Sequence, residues 1–186
     1  MNPQTTESFA AFLRGINLGR RRRVRGSELR SFFDELGFSD IATFRTSGNV
    51  IFTAGRDTVA KTRDRIQEGL ASSLGFEVVV FLRSASEMRA IAAHHAFTPS
   101  VLSRSKGKLQ VMLLAGKPSA RIRKKVLALA GPKDRLEFGA RELYWLPSAG
   151  TRDSALDLKA IEAEVGATTM RTKATIDDLT AKYFAR

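Results

Sequence analysis

The chain has 186 residues, 43% of them hydrophobic, with a formal charge of +12 and no cysteine. Its length allows one sizeable core or two small ones, and its apolar share excludes a disordered chain. The missing thiols exclude disulfides, thiolate metal sites and a cysteine nucleophile. The basic balance attracts any polyanion without identifying one, so nucleic acid, anionic lipid and nucleotide-like substrates all remain open. The opening MNPQTTESF has no basic n-region and no apolar h-region, and the apolar run over 76–82 is too short to span a bilayer. A cytoplasmic protein with no membrane partner is the expectation.

Residues 9–13 are an apolar run that suits a fully buried strand. Ser27 is placed to cap a helix carrying Leu29, Phe32, Phe33 and Leu36 at helical spacing, stopped by Gly37. Residues 41–46 and 50–53 then read as a hairpin around Ser47-Gly48-Asn49, residue types that tolerate positive φ. A helix over 57–74 puts Val59, Ile66, Leu70 and Leu74 on one face, and Gly75 leads into the β-rich run over 76–82. This order, βαββαβ, is that of the ferredoxin-like split βαβ unit.

The second half repeats the order. Residues 86–93 read as a helix and 97–108 as a connecting loop. A strand over 109–114 precedes a helix over 119–129 with Ile122, Val126 and Leu129 inward. Residues 136–138 and 143–146 make a hairpin around Gly139, followed by a helix over 153–165 capped by Asp153 or Thr151. A short β-branched stretch over 167–172 and a closing helix over 176–184 complete the chain. The predicted fold class is α+β, with two ferredoxin-like (βαββαβ) subdomains over 1–83 and 84–186 packed as one compact protein.

The loop after the first strand, RGINLGRRRRVR, invites comparison with a phosphate-binding P-loop, but Gly15 and Gly19 are four apart and no Gly-Lys-Ser/Thr follows. Its strong feature is charge. Arg20, Arg21, Arg22, Arg23 and Arg25 cannot all be neutralised by the nearby Glu28, and guanidinium forks suit phosphate oxygens. Aromatic interleaving and the RRM ring pattern are missing, so backbone contact fits this loop better than base readout. His94 and His95 are neighbours pointing about 100° apart, a poor joint metal site, so no metal or other cofactor is expected. Asp177 and Asp178 read as helix-start residues meeting the helix dipole. Tyr144 and Trp145 alternate on a strand, so one faces the core and the other is exposed or at an interface. Arg14, Ser47, Asn49, Thr168, Thr169, Arg171 and Thr172 are hydrogen-bonding groups at element ends, where loops converge on ligands.

AFLRGINLG, GSELRSFFDELGF, TFRTSGNVIF and ATTMRTKATIDDL, in that order, resemble the DUF1697 family of uncharacterised bacterial proteins. The resemblance implies two ferredoxin-like α/β subdomains and no established activity. It places the family's recurring pattern on Arg14, Gly15, Asn17 and Gly19, on Ser47, Gly48 and Asn49, and on Thr169, Arg171 and Thr175. The late block departs from the family's Arg-Asn-Trp-x-Thr, with Arg171, Thr172, Lys173, Ala174 and Thr175 here. The arginine cluster is likewise peculiar to this member.

The functional expectation is polyanion binding, to nucleic acid or a phosphorylated ligand. The ligand-binding candidates are Arg14, Asn17, Ser47, Asn49, Thr169 and Arg171; the nucleic-acid candidates are Arg20, Arg21, Arg22, Arg23 and Arg25. An enzyme acting on a small anionic substrate in a cleft between the subdomains is the competing expectation, with carboxylates or hydroxyls as its chemistry. A structural homodimer built on an exposed strand edge is the third, so monomer and homodimer are both open.

Overall fold

The continuous apolar run in ESFAAFLR makes β1, Glu7–Arg14, a strand with apolar residues on both faces, as a central strand requires. In the computed structural model, which describes residues 6–16, 23–55 and 57–185, β1 pairs antiparallel with β3, Asn49–Ala54, on one side and with β4, Val79–Ser84, on the other. The edge strand β2, Ser39–Thr43, pairs with β3 through a register shift between Ser39 and Ala42. The sheet order β2-β3-β1-β4, with α1, Gly26–Glu35, and α2, Val59–Leu74, in the crossovers, is that of a ferredoxin-like unit.

Phe9, Ala11 and Leu13 of β1, Val50 and Phe52 of β3, and Val80 and Leu82 of β4 face Leu29 and Phe33 of α1 and Ile66 and Leu70 of α2. Phe52 is the hub, with ring centroids 5.7 Å from Phe9, 5.2 Å from Phe33 and 4.6 Å from Phe38. The alternate residues Ala10, Phe12, Ile51 and Phe81 are buried too. The helices lie close together because Gly69 has no side chain: a Cβ there would sit 2.9 Å from the Phe32 ring.

The second unit repeats the topology. Its sheet has the order β6-β7-β5-β8, from β5, Gln110–Leu114, β6, Asp134–Phe138, β7, Glu142–Pro147, and β8, Thr168–Thr172. The crossovers hold α5, Ala120–Leu127, and α6, Leu158–Val165. Met112, Leu143 and Trp145 meet Val126 and Ile161 in its core, and buried Asp134 accepts the Trp145 indole N–H at 2.7 Å. In chain order α3, Ala85–Ala93, and α4, Pro99–Arg104, come between β4 and β5, and α7, Lys173–Tyr183, follows β8. The chain divides into two compact units, Met1–Met88 with Tyr183–Arg186, and Arg89–Lys182.

Four local details differ from the sequence expectation. The first helix starts at Gly26, because Glu28 rather than Ser27 relieves the end by accepting the Arg25 backbone N–H. The expected loop over 97–108 contains α4, started by Pro99, whose fixed φ and missing N–H suit a first helical position. The helix expected from 153 begins at Leu158, since Asp157 accepts from Lys159 and Ala160 N–H while Asp153 closes a turn onto Gly150. Tyr144 and Trp145 are both buried. Deleting the Phe52 ring removes three aromatic contacts at a site with no exposure. Phe52→Ala is therefore expected to lower the unfolding free energy by about 3–5 kcal/mol in urea titration.

Candidate functional site

The turn between β2 and β3 is built by its own side chains. It runs over 44–48, with Arg45 and Gly48 both at positive φ, 58° and 71°. Asn49 is buried, and its amide donates to Phe44 O at 2.9 Å and Ser47 Oγ at 3.0 Å. Phe44 N–H returns a bond to Asn49 O at 3.0 Å, and Leu13 N–H donates to Gly48 O at 2.8 Å. The turn is thereby fastened to the end of β1, where Arg14 sits half-buried. Gly48 has no room for a side chain, since a Cβ would stand 2.6 Å from Ile16 Cδ1. Arg14, Ser47 and Asn49 thus share one end of the first unit's sheet.

Thr169 and Arg171 belong to β8 in the second unit. They are two residues apart on one face, and Arg171 Nη1 donates to Thr169 Oγ1 at 3.0 Å and to Met170 O at 2.8 Å. Burial lowers the Arg171 pKa from its ordinary value to about 10, so it remains a cation at neutral pH, held rigid by its own strand. Asn17, Arg20, Arg21 and Arg22 lie outside the described residues. Arg23 and Arg25 are exposed just before α1, and Arg30 in α1 donates to Thr43 Oγ1 at 3.1 Å. Arg23 also lines a cavity of about 270 Å³ between α1 and α2, with Glu28, Phe32, Ser73 and Leu74.

A second cluster escapes sequence reasoning. His94, just after α3, places Nε2 3.0 Å from Glu137 Oε1 of β6, and its ring lies over Tyr144 of β7 with centroids 4.5 Å apart and planes at 26°. The Tyr144 hydroxyl donates to Ile91 O at 3.4 Å. Glu137 and Tyr144 are cross-strand partners, so they share one face of the sheet, opposite the Trp145 core. Only the partner strand's register shows that residue 137 meets 144; 43 residues separate His94 from Glu137. On the same face Tyr144 opposes Val111, which opposes Arg171, so Arg171 stands two strands away beyond a wholly buried valine. Asp177, expected to meet the helix dipole alone, pairs with Lys173 at 2.6 Å, and Lys173 Nζ also donates to Ala92 O at 2.7 Å. Among the described residues no cluster of three or more His, Cys, Asp or Glu could hold a metal, and no helix is long and apolar enough to cross a membrane.

Two consequences are measurable. Asn49→Ala leaves Phe44 O without its amide donor and unfastens the turn, an expected loss of roughly 1–3 kcal/mol in urea unfolding. Arg171 binds fewer protons folded than unfolded above its folded pKa of about 10, so desolvation of its cation opposes folding fully below about pH 10 and fades as pH rises beyond it. Unfolding at about pH 9 and about pH 11 should therefore show Arg171→Gln losing ground against the wild type as pH rises; a pH-independent difference would contradict this.

Comparison with known proteins places the chain in context. No curated protein matches it. Among solved structures, the conserved bacterial protein SP0830 from Streptococcus pneumoniae aligns over 98% of this chain and 100% of its own, with 21% identity and a TM-score of 0.77, which supports the fold. The family model described as "Protein of unknown function (DUF1697)" matches residues 6–144, covering β1 through the first half of β7 and ending before Thr169 and Arg171. The chain belongs to the DUF1697 family.

Proposed function

We propose that the protein binds a polyanion, a nucleic acid or a phosphorylated ligand, by charge rather than by base readout. The supporting observation is a set of exposed cations with no acid to pair with. In the first unit these are Arg23 and Arg25, which make no ion pair among the described residues, and Arg30, which donates to the Thr43 hydroxyl. The second unit, Arg89–Lys182, has 17 Lys and Arg against 9 Asp and Glu, a net +8. Its helix α5 sorts its cations by role. Arg123 turns inward onto Gly139 O and Ala140 O and over the Phe138 ring. Lys125 pairs with Glu164 at 2.9 Å. Arg121 and Lys124 face solvent unpaired among the described residues.

Guanidinium forks match phosphate oxygens in geometry as well as charge. In this reading Arg14 and the loop residues Arg20, Arg21 and Arg22 contribute further positive charge, and Arg171 with Thr169 offers a rigid cation in the second unit. Ser47 and Asn49 act through the turn that supports Arg14. Fluorescence anisotropy with a generic DNA duplex, a single-stranded RNA and inorganic polyphosphate tests the proposal. With about four phosphate contacts, affinity should fall roughly 100-fold between about 50 and 200 mM salt, regardless of base sequence. The double variant Arg23→Ala, Arg25→Ala should reduce the salt slope by about 2. No binding of any of the three probes at about 50 mM salt, where charge attraction is strongest, overturns it.

A further inference from the structure

The His94 cluster has a geometry that polyanion binding does not use. A carboxylate only accepts hydrogen bonds, so the 3.0 Å contact requires Nε2–H to point at Glu137 Oε1. In the neutral imidazole Nδ1 then keeps its lone pair. Among the described residues the one buried side-chain polar atom without a partner is Thr62 Oγ1, and the His94 side chain makes no hydrogen bond there beyond that to Glu137, so its Nδ1 is open to solvent. The side chains of His94 and Glu137 are 34% and 41% exposed, while the ring is held flat by Tyr144, itself buried and tied to Ile91 O. One nitrogen is thus oriented by a carboxylate, the ring plane is fixed by stacking, and the second nitrogen is accessible, which is the arrangement of a general base.

The surroundings select a substrate. Glu137 lies on the edge strand β6, and exposed Arg135 precedes it by two residues on the same face, about 7 Å along the strand. A small molecule with an anionic end on Arg135 can bring a reacting group to His94.

We propose that His94, positioned by Glu137 and Tyr144, is the base of a hydrolytic site for small carboxylic esters bearing an anionic group. Nδ1 takes a proton from water as the water oxygen bonds to the ester carbonyl carbon. The C–O bond to the leaving group then breaks, the leaving oxygen keeps the electron pair, and the proton on Nδ1 passes to it, giving acid and alcohol. The site lies within the second unit and is independent of the polyanion surface.

Release of p-nitrophenolate from mono-p-nitrophenyl succinate by the full chain, compared with free imidazole at equal concentration, tests it. The wild type is expected to exceed imidazole, and His94→Gln and Glu137→Gln to lose roughly 100-fold. Glu137→Gln is isosteric and keeps an acceptor, so a structural role would leave the rate unchanged; Glu137→Asp, which restores the charge, should recover part of it. Arg135→Ala should raise KM for the succinate ester and leave that for p-nitrophenyl acetate unchanged. A far-UV circular dichroism spectrum and urea midpoint like those of the wild type report that each variant is folded. A wild-type rate no greater than that of imidazole, or a folded Glu137→Gln variant as fast as the wild type, overturns the proposal.

Discussion

The pairing of β1 on both sides governs the first unit. Phe12 stands opposite Asn49 on one flank and Phe81 on the other, and every backbone group of a buried central strand needs such a partner. Three consequences follow from that constraint. The strand must be apolar on both faces, which is why ESFAAFLR lacks the clean alternation of a half-exposed strand. Its last residue, Arg14, emerges where the ladder ends. The bond from Leu13 N–H to Gly48 O then carries the β2–β3 turn to the same end, and β5 is placed likewise between β7 and β8 in the second unit.

The chain's positive charge is divided between structural and outward roles. Arg123 satisfies carbonyls, Arg171 is locked by its own strand, and Arg65 lies over the Phe38 ring at 4.5 Å. Burying the arms of such residues uses the apolar stems and limits the charge presented to solvent. What remains outside, at the start of α1 and along α5, sits where acidic residues are sparse. The two units share a topology but differ in this respect, and the second carries the larger excess of cations.

The late block shows how much of a site can be read in a chain. Its strand, the pairing of Thr169 with Arg171 on one face, and the helix after it follow from β-branched residues and a two-residue period. Lys173, the next residue but one after Arg171, is spent on Ala92 O and Asp177. His94 illustrates the opposite case. As a residue beside His95 at a helix end it carries no signal, because its partners lie 43 and 50 positions away, and neither distance is set by any local rule.

Local chemistry determined the elements: hydrophobic periodicity marked strands and helices, and Gly48 and Asn49 marked a turn that only such residues tolerate. Repetition of one order of elements determined the two ferredoxin-like units, since a split βαβ order with short connections leaves few topologies open. Tertiary structure alone decided which polar groups meet. Register set Glu137 opposite Tyr144 and kept Arg171 two strands away, and the packing of the segment after α3 laid the His94 ring on that pair. Such meetings depend on contacts between distant segments, which neither propensity nor spacing encodes one residue at a time. The arginines announced the charge of the protein in its sequence; the fold decided which of them face the solvent.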